Sequence, residues 1–475
     1  MQYFIEKNEK KLIAAAVLIL SAVFLSLVWN NNVWMDEAFT ASLVHTDFAG
    51  VLERSMADTL PPLYNIILKL MTLVFGYRVP VMKITSVIPM ILTLVLGATV
   101  VRRRFGIRTA ILFMMFITFM PLFMYFGIEI RMYSLGFFFA TASGIYAYEV
   151  VSEPSRGNWI AFTLFSVLAG YSHHFAFVTV GFVYLYLLLY YLFVKKDGIR
   201  NWFICLGATF LLYLPCLIIT LSQISRVSGY FSMPDVDIRM FVQYVLYPYT
   251  VGVRAATVLC MAVMAAALVI FAIRRFVKKE KDTEGFYAIA CFFVYYLVLL
   301  FGTVISKVMT ANIFVDRYLF FSTGLLWLFA AIVFGKKERT FIAVAAATVI
   351  IGICSYSVEY GLEYGNSADE EIAFLRDNVG EGDVLYCIGG HEEMQNCIPF
   401  YTYLDKDTPE LTFVHPLESA IEEARRRGTV LWVSVLDGCS PTEDETEVIK
   451  DNGLSMVKMA DLEFDRYKSE LYKVE

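Results

Sequence analysis

Long apolar blocks separated by short charged segments fill roughly the first three quarters of the 475-residue chain. Blocks of about 17 to 22 apolar residues are long enough for a helix, rising 1.5 Å per residue, to cross a hydrocarbon core about 30 Å thick. The pattern therefore predicts an α-helical polytopic membrane protein of about 11 spans. The predicted spans are residues 11–29, 82–101, 109–127, 133–151, 158–172, 176–194, 202–221, 255–273, 286–305, 318–334 and 340–357.

Two further apolar stretches are predicted to lie in the membrane interface instead of crossing it. The stretch 61–77 begins with a proline pair and places Asn65, Lys69 and Thr72 on one polar stripe of a helix. The stretch 238–253 is similarly interrupted by glutamine, tyrosine and proline. Amphipathic helices of this kind lie in the plane of the interface.

Four basic clusters orient the spans, because loops rich in lysine and arginine stay in the cytoplasm. The clusters lie at residues 102–108, 195–200, 274–279 and 336–339. Their spacing requires that the two interfacial stretches do not cross. The scheme predicts a multi-pass plasma-membrane protein with a cytoplasmic N-terminus. The first span should be a retained anchor, since no small-residue cleavage site follows it.

The pattern of apolar and polar residues changes after the last span. Strands are predicted at 384–388, 411–414, 430–435 and 454–459, and helices at 368–378, 416–427 and 443–452. This alternation predicts a small α/β domain. The expected organisation is a transmembrane domain over 1–360, with a first external loop at 30–80, and an extracytoplasmic α/β domain over 367–475.

Composition and charge support this division. The chain is 58% hydrophobic and has a mean hydropathy of +0.61, which excludes an ordinary soluble protein. The net charge of −6 hides an asymmetry: from residue 369 onward 25 acidic residues face 10 basic ones, whereas the earlier part has 20 acidic and 29 basic residues. A basic membrane part joined to an acidic tail argues against a nucleic-acid partner.

The cysteines and tail histidines suggest little chemistry. The three tail cysteines, Cys387, Cys397 and Cys439, show no metal-ligand spacing, and Cys387 could pair with Cys397 only in an oxidising compartment. His391 and His415 in the tail are interpreted as ordinary surface residues.

Polar residues at the span ends collect on the predicted external face. Singly, each has a plain interpretation: an arginine can anchor a helix end, a histidine pair can cap one, and an acidic pair can be merely solvated. Together they predict a polar pocket for a membrane-anchored substrate. The candidates are Asp36, Glu37, Asp58, Lys69, Glu129, Arg131, Tyr133, His173, His174, Arg226, Tyr230, Asp235, Asp316, Arg317 and Tyr318.

Four short motifs, in order, resemble the GT-C superfamily of polyprenyl-phosphate-sugar-dependent glycosyltransferases. They are Trp34–Ala38, Asp58–Tyr64, Glu129–Tyr133 and Asp316–Leu319. The resemblance covers about residues 11–357. It is closest to glycosyltransferase family 39, which includes protein O-mannosyltransferases, and to the aminoarabinose transferase of lipid A. Many relatives have histidine where this chain has Leu60, and the carbohydrate-binding insert of protein O-mannosyltransferases is absent.

The resemblance implies an inverting glycosyltransferase of the cell envelope, which moves a hexosyl or pentosyl group from a polyprenyl-phosphate donor to an acceptor hydroxyl. The acceptor could be a lipid, a glycan or a protein, and membrane lipids surround the enzyme. The family's loop aspartate, which acts as the base, matches Asp36, and Glu37 is a second candidate.

The remaining candidates are expected to bind substrate. Arg131 and Arg317 suit the phosphate, because the guanidinium fork matches phosphate oxygens, and Lys69 is a third cation. The motifs of the resemblance add Asp58, Glu129, Tyr133 and Tyr318 to the substrate-binding set, and His173 and His174 join it from their position on the predicted external face. Some relatives bind a divalent metal ion and others do not. Asp36, Glu129 and His173 or His174 could ligate one, but no metal site is assigned.

Three other classes of protein are alternatives to the predicted glycosyltransferase. A transporter or flippase for lipid-linked glycans would place ionisable groups near the bilayer midplane, whereas the predicted spans carry them at their ends. A polysaccharide polymerase or ligase would need a large external loop late in the chain. A non-catalytic scaffold would tolerate Asp36→Asn.

Overall fold

A computed structural model describes residues 2–230, 236–278, 283–308, 312–365, 368–389, 408–409, 411–464 and 467–475. Asp235, His391 and Cys397 lie outside the described residues, as do the side chains of Arg226 and Tyr230. The pairing of Cys387 with Cys397 therefore stays a prediction.

The chain divides into two compact units. The first unit contains Met1–Ser26, Leu52–Tyr64 and Ser86–Glu359. The second contains Leu27–Val51, Asn65–Thr85 and Tyr360–Glu475. Most of the predicted first loop thus belongs to the same unit as the C-terminal region.

The elements up to the tail are helical throughout. They are α1 (Gln2–Leu25), α2 (Met35–His45), α3 (Phe48–Ala57), α4 (Leu63–Phe75), α5 (Val79–Leu96, continued by a π-turn Gly97–Val101), α6 (Arg102–Phe105), α7 (Ile107–Phe119), α8 (Pro121–Ile128), α9 (Tyr133–Ser152), α10 (Arg156–Ser172), α11 (His174–Phe193), α12 (Ile199–Tyr230), α13 (Ile238–Leu246, followed by a 3-10 turn Tyr247–Tyr249), α14 (Arg254–Lys278), α15 (Thr283–Val308), a 3-10 turn Asp316–Leu319, α16 (Phe320–Gly335) and α17 (Glu338–Gly365).

A helix lies at each of the predicted spans, and the helical membrane fold is confirmed. In the described part of the chain, seven helices are long and apolar enough to cross a membrane, and eight if α7 and α8, bent by 66°, form one broken span. The predicted count of about 11 also includes α1, α9 and α10, which fall outside that criterion. The predicted first loop contains two helices, α2 and α3, that the sequence pattern did not reveal.

Small residues let α9 and α16 approach closely in the core of the first unit. A Cβ on Gly144 would lie 2.3 Å from Leu325 Cδ2, and a Cβ on Gly324 would lie 2.1 Å from Thr141 Oγ1. Because apolar side chains gain little from leaving lipid, membrane helices associate through such close packing.

One predicted basic cluster, at residues 102–108, is partly neutralised within the first unit. Glu149 of α9, fully buried, accepts hydrogen bonds from Arg104 at 2.6 and 2.7 Å and from Arg103 at 2.9 Å. A buried carboxylate costs free energy unless it is paired, so the two arginines make its burial tolerable.

Helix α4 has an apolar face turned outward. The exposed fractions of Leu70, Leu73 and Val74 are 51%, 64% and 72%, whereas Asn65 and Lys69 on the polar stripe are buried. An exposed apolar face beside a buried polar stripe suits a helix that contacts lipid.

The tail of the second unit is an α/β fold. Its elements are α18 (Asp369–Asn378), β1 (Val384–Ile388), β2 (Thr412–Phe413), α19 (Leu417–Arg427), β3 (Leu431–Leu436), α20 (Glu443–Asp451), β4 (Met456–Phe464) and β5 (Tyr467–Val474). In the described residues the strand order is β2-β1-β3-β5-β4, with β1 parallel to β2 and β3, and β5 antiparallel to both neighbours. Leu417 and Ile421 of α19 pack against Val384 and Val433 of the sheet. The α/β prediction is confirmed, and β5 is an additional strand.

Candidate active site

The acidic pair begins helix α2 in the second unit. The Glu37 side chain is buried, and its Oε2 accepts a hydrogen bond from the Trp34 N–H at 3.0 Å. This bond satisfies a backbone donor just before the helix, as in a capping box. Asp36 lies half-buried in the same first turn, where the helix dipole favours a carboxylate. The two neighbours therefore have different surroundings.

Lys69 lies at the other end of α2. Its buried ammonium donates to the Val44 carbonyl oxygen at 3.0 Å, and the Tyr77 hydroxyl donates to the Ala41 carbonyl at 2.7 Å. Asp36 and Val44 are eight residues apart, about 12 Å along a helix. The structure thus places Lys69 at the C-terminus of α2 and does not bring it together with Asp36.

In the first unit, the break between α8 and α9 carries the predicted Glu129–Tyr133 motif. The Arg131 N–H donates to the Glu129 carbonyl at 2.6 Å, which tightens the turn. Glu129 and Tyr133 are buried and Arg131 is half-buried. Tyr133 interacts electrostatically with Glu129, Arg131, Arg317 and Tyr318.

His173, between α10 and α11, joins the same group. Its ring centroid lies 4.8 Å from that of Tyr318, 4.4 Å from that of Phe321 and 6.5 Å from that of Tyr133. The break between α8 and α9, the break between α10 and α11 and the turn before α16 therefore converge. We call Glu129, Arg131, Tyr133, His173, Arg317 and Tyr318 the arginine cluster; it carries two cations and one carboxylate.

The hydrogen bonds of His173 define its chemistry. The ring is 1% exposed, and Nδ1 accepts from the Phe175 N–H at 3.0 Å. A neutral imidazole that accepts at Nδ1 carries its proton on Nε2. Nε2 has no hydrogen-bond partner in the described part of the chain. Burial, then the neighbouring His174, Arg131 and Arg317, lowers the pKa of His173 well below its ordinary value. His173 thus presents a neutral N–H donor.

Tyr247 lies near the arginine cluster, whereas the sequence predicted only that it belongs to an amphipathic stretch. It interacts electrostatically with Glu129, Tyr133 and Asp316. Its hydroxyl is shielded from solvent and has no hydrogen-bond partner among the residues described. The tyrosine-proline pair that ends α13 was the only signal in the sequence.

His174 and Asp58 have a different task in the first unit. A ring nitrogen of His174, Nε2, lies 3.3 Å from the Thr59 carbonyl oxygen, and Asp58 Oδ1 accepts from the Thr59 N–H at 2.7 Å. Gln223 Nε2 donates to the Leu60 carbonyl at 3.1 Å. These bonds fix the Asp58–Tyr64 segment. Across the described ranges, no group of three or more His, Cys, Asp or Glu residues is arranged to hold a metal ion.

Solved structures identify the fold. No protein-family model and no curated protein matches the sequence. The crystal structure of ArnT from Cupriavidus metallidurans in the apo state superposes with a TM-score of 0.67 at 11% identity, covering 98% of both chains. The chain has the fold of ArnT. The same protein bound to undecaprenyl phosphate gives a TM-score of 0.66 at 12% identity, with 97% of both chains covered.

The ArnT likeness confirms the GT-C fold expected from the four motifs. It extends over the C-terminal α/β part, which the motif resemblance over residues 11–357 did not reach. An oligosaccharyltransferase from Archaeoglobus fulgidus also matches, with a TM-score of 0.45 at 11% identity over 89% of this chain and 68% of that one. With helices of this composition, the protein is a multi-pass membrane protein.

Proposed function

We propose that this protein is an integral-membrane inverting glycosyltransferase, which transfers a sugar from a polyprenyl-phosphate donor to an acceptor hydroxyl. The observation that carries the proposal is the arginine cluster. It gathers two guanidinium groups and a neutral N–H donor at breaks between helices. ArnT shares this fold and has been solved with undecaprenyl phosphate bound.

The arginine cluster suits the phosphate end of the reaction. As the bond from the sugar C1 to the phosphate oxygen breaks, negative charge grows on the leaving polyprenyl phosphate. Arg131 and Arg317 stabilise that charge more than the ground state, which accelerates the step. The Nε2–H of His173 adds a neutral donor that does not depend on protonation in the ordinary range of histidine.

Asp36 suits the acceptor end. The acceptor oxygen forms its bond to C1 as the C1–phosphate bond breaks, and its proton passes to the Asp36 carboxylate. The phosphate leaves with the electron pair, so no general acid is needed, and direct displacement inverts the anomeric carbon. A positioned base of this kind is worth about 10² to 10⁴ in rate. Glu37 is the weaker candidate because it already accepts from the Trp34 backbone.

Other predicted residues take supporting parts in this proposal. Lys69 remains a third cation for the phosphate. Its ammonium has three N–H donors, and the bond to the Val44 carbonyl uses one of them. Asp58 and His174 shape the segment before α4. The C-terminal domain and the transfer reaction are assigned to the extracytoplasmic face, with the N-terminus in the cytoplasm. The acceptor is a lipid, a glycan or a protein.

The purified protein, incubated with a panel of undecaprenyl-phosphate hexoses and pentoses, tests the proposal. We expect release of undecaprenyl phosphate from at least one donor, with an inverted anomeric centre in the product and no release by Asp36→Asn. Movement of a donor across vesicle membranes without release would instead identify a transporter or flippase, and would overturn the proposal.

A further inference from the structure

The segment that leads into the Asp36 helix contains three consecutive asparagines. Asn30, Asn31 and Asn32 lie between α1 and α2, in the part of the second unit that begins at Leu27. Residues 31–34 have no regular secondary structure. A segment without its own hydrogen-bond ladder must satisfy its backbone and side chains elsewhere.

Two of the asparagines bind residues at the start of the C-terminal region. Asn32 Nδ2 donates to the Leu362 carbonyl oxygen at 2.9 Å, and Asn32 is 3% exposed. Asn31 Nδ2 donates to Asp369 Oδ1 at 2.6 Å. Just before them, the Trp29 N–H donates to the Tyr364 hydroxyl at 3.2 Å. The end of α17 and the start of α18 thus hold this segment along its length.

Asn30 is held by a buried lysine. Its Nδ2 donates to the Leu27 carbonyl at 2.7 Å, and its Oδ1 accepts from Lys83 Nζ and from the Asn32 N–H, both at 2.9 Å. Lys83, in α5, is fully buried and forms an ion pair with Glu363 near the end of α17. Every polar atom of the Asn30 side chain is therefore engaged.

The burial of Lys83 makes this arrangement hard to loosen. A buried ammonium that loses one of its partners is strongly destabilised, because the charge cannot return to water without opening the structure. Lys83 therefore keeps Asn30 and Glu363 together. From Asn32 the chain reaches Asp36 in four residues, and the Glu37–Trp34 bond fixes the helix start within that interval.

We propose that Lys83, Glu363 and the three asparagines are positioning residues, through which the C-terminal region holds Asp36 in its working position. This inference rests on the assignment of Asp36 as the base under the proposed function. It gives the C-terminal region a part in the reaction without contact with the substrate. Displacing a catalytic group by about 1 Å can cost about 100-fold in rate, so such support has a measurable effect.

Hydrogen exchange tests the positioning directly. We compare the wild-type protein with the double variants Asn31→Ala/Asn32→Ala and Lys83→Met/Glu363→Met. The second pair removes both charges of the ion pair together, so that no uncompensated charge is left beside the buried position of Lys83. The matched control is Asn378→Ala, since within the described residues the Asn378 side-chain amide bonds inside α18, to the Phe374 carbonyl. We expect faster exchange over residues 29–37 in both double variants and wild-type exchange in the control.

Kinetics with the panel donor that the wild-type protein turns over complete the test. Both double variants should lower kcat about 10- to 100-fold with KM for the donor nearly unchanged, because the phosphate contacts are untouched. The control should keep both constants. Wild-type exchange or wild-type kcat in both double variants would overturn the positioning proposal. Full activity of Asp36→Asn would instead remove the base assignment, a failure of the proposed function that is separately visible.

Discussion

Asp36 and Glu37 are neighbours in sequence, yet the hydrogen bonds of α2 separate their tasks. Glu37 accepts from the Trp34 N–H and is buried, so replacing it mainly removes a helix cap. Asp36 is half-buried in the same turn. At the scale of single residues, two carboxylates of the same chemistry thus differ in local geometry: Glu37 is hydrogen-bonded to the backbone, and Asp36 is the residue proposed to act in the reaction.

Asp36→Asn should lower kcat by about two or more orders of magnitude with little change in KM, because the carboxylate acts in the chemical step. Glu37→Gln should keep most of kcat and change the melting temperature little, because the glutamine side-chain oxygen can still accept the Trp34 N–H. Steady-state kinetics and thermal unfolding of both variants check this. If Glu37→Gln loses kcat while Asp36→Asn keeps it, the base is Glu37.

Arg131→Ala and Arg317→Ala should each weaken undecaprenyl phosphate binding by roughly 1.5 to 3 kcal/mol, the value of a charge-assisted contact. Lysine should restore less than its charge suggests, because it lacks the planar fork. Binding and melting temperature are measured on the same variants, with Arg339→Ala, exposed at the start of α17, as the control. Lower melting temperatures with unchanged affinity would show that both arginines only anchor helices.

His173 should make the fold sensitive to acid. Its pKa is lowered in the folded state, so the unfolded chain binds the proton more readily. Proton binding by the unfolded chain destabilises the folded state. The effect is absent well above the unfolded pKa of about 6.5 and grows as the pH falls below it. The melting temperature of His173→Asn should therefore fall less than that of wild type between pH 7.5 and 5. The control is His415→Asn, which changes an exposed histidine. A parallel fall of the melting temperature in wild type and in His173→Asn would contradict this prediction.

The residues of the arginine cluster were predictable because they interrupt apolar spans. The partners of Lys83 were not. Its contacts, Asn30 and Glu363, lie 53 and 280 positions away, and nothing local in the sequence indicates that α5 and the end of α17 meet. The hydroxyl of Tyr247 was missed for another reason: a tyrosine in an amphipathic stretch is typical of a membrane-interface belt.

At the scale of elements, periodicity predicted helices well and short pieces poorly. Strand β1 lies at the predicted residues, since its five positions are apolar and buried. Strand β5 was missed because Lys468, Glu470 and Lys473 interrupt its apolar residues. It pairs on both sides with other strands, and this tertiary context overrides its weak local signal.

Helix α4 should contact lipid through Leu73. A spin label at Leu73→Cys, on a cysteine-free background in bilayers, should be more accessible to oxygen, which partitions into lipid, than to a polar nickel complex. A label at Val457→Cys on β4, 41% exposed in the tail, should show the reverse. Equal accessibility to the nickel complex at both positions would show that the apolar face of α4 is covered by water or protein, and the interfacial assignment would fail.

At the scale of the whole molecule, the basic clusters assign sides to the membrane. Loops rich in lysine and arginine near span ends stay in the cytoplasm, whereas acidic residues carry little weight in this rule. The acidic balance of the tail therefore permits an external position but does not establish it. The partial neutralisation of Arg103 and Arg104 by Glu149 weakens one cluster, and the other three must carry the orientation.

The topology predicts that the loop near residue 105 faces the cytoplasm and residue 475 faces outside. On a cysteine-free background, a cysteine at position 475 should react with a membrane-impermeant maleimide in intact cells. One at position 105 should react only after permeabilisation, because the bilayer excludes the charged reagent. A third cysteine at position 338, at the predicted cytoplasmic start of α17, serves as the matched control for 105. Labelling at 105 and 338 in intact cells would invert the scheme. It would also move the proposed transfer to the cytoplasmic face, because the side of the reaction is assigned from the same spans.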